Sequence, residues 1–137
     1  MGNYWTNSVR HPEDVGVGHI RRTVTFDQKS VDTGIPVGAL EAGTVPLRAY
    51  AVIETAFNAA TTNVLVLGSA ADDDGLVTSA NAVAGSLGLK AGTGALLGTP
   101  LAADTVFFAK YTQTGTPATT GKATFVVEFV NARETAA

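Results

Sequence analysis

The stretch 104-DTVFFAKYTQTGTPATTGKATFVVEFVNA-132 holds two alternating runs on either side of a loop of Gly, Pro and Thr. In the first run Val106, Phe108 and Lys110 alternate with Phe107, Ala109 and Tyr111. In the second, Phe125, Val127 and Phe129 alternate with Thr124, Val126, Glu128 and Val130. Successive side chains of a strand point to opposite faces, so alternation over this length predicts two β-strands. A helix would need an apolar stripe recurring about every 3.6 residues, and neither run has one.

The same pattern extends toward the N-terminus. "HIRRTVTFD" places Ile20, Val24 and Phe26 on one face, with Arg22 among them, so Arg22 is expected near an edge or an end. "VPLRAYAVIETAFN" puts Ala51, Ile53, Thr55 and Phe57 on one face, and "NVLVLGS" is a short apolar run. Between them, "DTGIPVGALEAGTVP" and "QTGTPATTGK" are punctuated by Gly and Pro and read as breaks. Residues 79–87 read as an extended loop rather than a helix. About six to eight short strands follow, giving an all-β antiparallel β-sandwich or barrel. The expected division is an irregular N-terminal arm over residues 1–18 and a β-sandwich domain over residues 19–137.

Composition narrows the function. The chain has 137 residues, room for one domain with a real core. Charged residues make up 15%, against about 25% in a typical soluble domain. So few charges point to surface covered by a partner. A net charge of −3 argues against nucleic acid as a partner, because phosphate binding needs many Lys and Arg. Without cysteine there is no disulfide, no thiolate nucleophile and no Cys-ligated zinc. The opening "MGNYWTNSVRHPEDVGVGHIRR" lacks the apolar run of a secretory signal, and no stretch reads as a membrane span, so no membrane partner is expected.

Each possible chemistry has a plainer explanation. Asp72-Asp73-Asp74-Gly75 lacks the alternating oxygens and the distant Glu of a calcium loop. Its adjacent aspartates should splay apart, and the reading is a solvent-facing turn. His11 and His19 form no ligand pair, and no G-x-S-x-G marks a serine nucleophile. Glu54 and Glu128 sit in strands and are assigned to a solvated sheet face. The "GTGALLG" loop, residues 92–98, lacks the Lys-Ser/Thr of a phosphate loop. The expectation is no enzyme, no cofactor and no metal. In the arm, Tyr4, Trp5 and Arg10 are the residue types favoured at interfaces and are the candidate contacts to a partner.

From about Pro46 to Ala132 the chain resembles the capsid cement (decoration) proteins of tailed bacteriophages, such as that of a Bordetella podophage. "VIETAFNAATTNVLVLGSAADDDGLV" looks like their middle part, and Asp104–Ala132 looks like their closing hairpin. The resemblance implies a jelly-roll sandwich on the outer surface of the virion capsid, bound to the major capsid protein and paired into a homodimer. The strand His19–Phe26 or the strand Lys122–Val130 would be the edge that pairs. Two alternatives stand beside it. One is a head-fibre or tail-associated virion module. The other is a carbohydrate-binding β-sandwich, for which Trp5, Tyr4, Tyr50 and Tyr111 are the candidate stacking residues.

Overall fold

The computed structural model describes residues 17–130. It contains seven strands: β1 (Val17–Thr25), β2 (Ile35–Leu40), β3 (Val45–Thr55), β4 (Thr62–Ser69), β5 (Gly88–Ala91), β6 (Thr105–Thr114) and β7 (Lys122–Val130). They form two antiparallel sheets of order β1-β7-β3-β5 and β2-β6-β4. The expected arm, residues 1–18, lies outside the described residues except for Val17 and Gly18, which open β1.

All odd-numbered strands share one sheet and all even-numbered strands share the other. Every connection therefore crosses the sandwich, and no two consecutive strands pair. This is the interleaving of a jelly roll, an eight-stranded double sheet, with one strand missing. The missing strand would follow β4 as its hairpin partner. Only a vestige remains: Val77 bridges Leu67 of β4.

The expected closing hairpin is thus corrected. β6 and β7 lie in opposite sheets, and the largely exposed residues 115–121 carry the chain from one sheet to the other. That connection is too long for a two-residue hairpin turn, with Gly115 and Gly121 both at positive φ. The two strands instead face each other. Phe107, Ala109 and Tyr111 point inward from one sheet, and Ala123, Phe125 and Val127 point inward from the other. Val24, Ala49, Ala51, Ile53, Ile35, Val37, Leu65 and Leu67 join them in the core. The Phe57 ring tilts against Tyr111 at a centroid distance of 4.5 Å. The Tyr111 hydroxyl donates to Asn63 Oδ1, so the polar tip of this buried ring is satisfied.

Two further expectations are revised. Residues 35–40 were expected to be a break, yet they form β2. As an edge strand it tolerates Pro36, and a bulge between Pro36 and Gly38 absorbs the irregularity. Thr55 was expected to share the apolar face of Ile53, but it is exposed, because the register slips between Ile53 and Thr55. Residues 79–87 are turns with no helix, as expected.

Candidate interaction surface

Most sheet edges are blunted. β2 carries Pro36, which has no N–H to offer a partner strand, and its bulge interrupts the ladder. β4 is covered where the chain returns: Leu67 N–H donates to Val77 O at 3.0 Å, and Leu76 N–H donates to Leu67 O at 2.9 Å. Its neighbour Leu65 is wholly buried. β5 has only four residues, and Lys90 stands opposite the inward-facing Ala51, so a cation guards the inner margin. Lys90 Nζ donates to Ser86 Oγ at 3.1 Å.

β1 is the longest edge left open among the described residues. Phe26 N–H donates to Gly121 O, which continues the β1–β7 ladder. Bonding alternates along such a ladder. The backbone groups of His19, Arg21 and Thr23 therefore point away from β7. Arg22 lies on the inward face, as its place in the pattern implied, and Nη1 donates to Pro36 O at 3.1 Å. Of the two strands expected as pairing edges, His19–Phe26 contains an edge, whereas Lys122–Val130 lies between β1 and β3.

The outer face of the β1-β7-β3-β5 sheet reads as a series of cross-strand rows. Val17, Val130 and Val45 form the first, His19, Glu128 and Arg48 the second. Arg21, Val126, Tyr50 and Ala91 form the third, and Thr23, Thr124, Val52 and Leu89 the fourth. Val17 is 57% exposed and Leu89 62% exposed. A hollow of about 410 Å³ opens on this face, lined by Val17, Gly18, His19, Arg21, Tyr50, Val126 and Glu128.

Glu128 organises the hollow. Arg48 donates to its Oε1 from Nε at 3.0 Å and from Nη2 at 2.7 Å, and the Tyr50 hydroxyl donates to Oε2 at 3.1 Å. The Arg48 hydrogen bond holds Glu128 below the usual carboxylate range, with help from Tyr50. Burial, with the Glu128 carboxylate beside it, pushes the Tyr50 hydroxyl up. Farther along, Thr124 donates to Glu54 Oε2 at 2.9 Å, and Lys122 Nζ lies 3.4 Å from Glu54 Oε1. Both glutamates are thus held by neighbours on the outer face. Sequence reading did not assemble the Arg48–Glu128–Tyr50 group, because its members meet only when β3 and β7 pair. The alternation of Arg48, Tyr50 and Val52 with Ala49, Ala51 and Ile53 was its one local signal.

The other expected sites resolve as follows. Tyr4, Trp5 and Arg10, and His11 with them, lie outside the described residues. Asp72–Gly75 is a turn: Ser69 N–H donates to Asp72 O at 2.9 Å and Gly75 N–H to the same oxygen at 3.1 Å. The aspartates do not splay apart, however. Their carboxylate oxygens lie within 4.8 Å of one another, because the turn curls all three to one side. A hydrogen bond that the protonated Asp74 carboxyl donates to Asp72, with desolvation and the repulsion of Asp72 and Asp73, pushes Asp74 up, while Lys110 Nζ pairs with Asp73 Oδ2 at 2.7 Å. Residues 92–98 are a packing loop. Gly94 N–H donates to Leu76 O at 3.1 Å and Leu96 N–H to Gly75 O at 2.8 Å, and a Cβ on Gly94 would overlap Gly75. Of the candidate stacking aromatics, Tyr111 is in the core and Tyr50 lies on the outer face.

Among the described residues no helix is long and apolar enough to cross a membrane. Neither a family model nor a curated protein matches this chain. A solved structure does. A chain of the cyanophage Pam1 capsid asymmetric unit superposes with a TM-score of 0.65 at 21% sequence identity, covering 84% of this chain and 84% of that one. At that identity the likeness establishes a shared fold, and a fold by itself does not assign a function.

Proposed function

We propose that this chain is a non-enzymatic structural virion protein that decorates and stabilises the outside of a phage capsid by bridging neighbouring major capsid subunits. The observation that carries this reading is the fold it shares, across most of both chains, with a chain of a phage capsid asymmetric unit. The surface supports it. Arg48 with Glu128, and Lys122 and Thr124 with Glu54, are tied in ion pairs and hydrogen bonds on the described outer face, which stiffens it. A weak contact repeated over many copies sums to firm attachment.

In this reading Tyr4, Trp5 and Arg10 of the arm contact the shell. The open β1 edge, with the outward backbone of His19, Arg21 and Thr23, is the seam along which a second copy pairs about a two-fold axis. Shells lacking this protein, mixed with the purified chain and sedimented, test the proposal. Saturable co-sedimentation with a raised shell melting temperature is expected, and failure to bind the shell overturns it.

A further inference from the structure

We propose that in the free protein the N-terminal segment, residues 1–16, packs back onto the outer face of its own β1-β7-β3 sheet, with Trp5 seated in the hollow beside Tyr50 and Val126. Position is the first support. The hollow is lined by Val17 and Gly18, the residues at which that segment joins the body. Its volume of about 410 Å³ suits a large aromatic side chain and its neighbours.

Reach is the second support. Sixteen residues span at most ~55 Å when extended, and a four-strand face is only ~15 Å across. The segment can therefore turn near Gly16 and still lay Trp5 over the hollow with slack to spare.

Chemistry is the third support. The face offers Val17, Tyr50, Val126 and Val52 to an aromatic partner, and the segment contains Tyr4 and Trp5. The exposed Arg21 lines the hollow beside His19, and the segment carries Glu13 and Asp14 against a single Arg10. Glu128, the carboxylate in the hollow, is already held by Arg48 and Tyr50.

Trp5 is the chain's one tryptophan, so its fluorescence reports its seat directly. The full-length unattached protein is measured at submicromolar concentration and again at a hundredfold higher concentration. The expected result is blue-shifted emission and poor acrylamide quenching, the same at both concentrations. Val126→Ser and Arg21→Glu, each checked for cooperative unfolding, should shift the emission toward that of exposed indole. Arg21→Glu acts from the rim and keeps the test sharp should Val126→Ser unfold. Water-exposed Trp5 in the unmodified protein overturns the proposal. So does protection that appears only at high concentration, which would place the segment on a second copy, or protection unchanged in a folded Arg21→Glu variant. The free protein is used throughout, so the result stands apart from whether the chain belongs to a virion.

Discussion

Gly68 and Gly85 are both glycines in small-residue stretches, "LGSA" and "AGSL", yet the fold asks different things of them. A Cβ on Gly68 would overlap the Asp72 carbonyl oxygen, because the acidic turn lies directly on β4. A Cβ on Gly85 would meet nothing nearer than Phe57 O at 3.9 Å. Gly68→Ala should therefore destabilise by about 1–3 kcal/mol, the usual cost of overpacking, and Gly85→Ala should be nearly neutral. Paired denaturant titrations check this. Glu128 gives a second prediction at this scale. Its folded pKa is lowered, so its contribution to stability is present above its unfolded pKa and fades as pH falls through the folded value. Glu128→Gln should lower the melting temperature at neutral pH, and the difference from the unmodified chain should vanish in acid. Neither property was legible beforehand. Gly68 is constrained by the turn that folds back over it, and Glu128 is bound by a residue 80 positions away.

At the scale of elements, the strands with clean alternation were legible, and the strand without it was not. Phe107, Ala109 and Tyr111 announced β6, and Phe125 and Val127 announced β7, because each run has an apolar inner face. β2 was hidden by Pro36 and Gly38, which mark a break in isolation but are compatible with a bulged edge. The turn at Asp72–Gly75 was read correctly as a turn, yet the convergence of its carboxylates followed from loop geometry that spacing does not encode. Lys110 and the backbone of residues 69–75 hold this turn. Excess chelator should therefore leave the melting temperature unchanged in a thermal scan. A fall of several degrees would show that a bound cation contributes to the fold.

The whole molecule is ruled by its topology, and topology was the least legible feature. The apolar inner faces of β6 and β7 suit two strands side by side in one sheet or face to face across a core. What separates these arrangements is the pairing of β7 with β1 and β3, which joins Val17 to Val130 and Val45 to Val130. With every connection crossing the sandwich, no two consecutive strands pair, and nearly all pairing is between segments distant in sequence. Folding should accordingly be slow for a chain of this size, in the range of milliseconds to seconds or longer. Stopped-flow refolding checks this, and microsecond folding would contradict it.

The measurement that bears most directly on the proposed virion role is the copy number of this chain in purified virions, by quantitative mass spectrometry against the major capsid protein. The account predicts amounts comparable to the major capsid protein, hundreds of copies per particle. A handful of copies, or none, would contradict it.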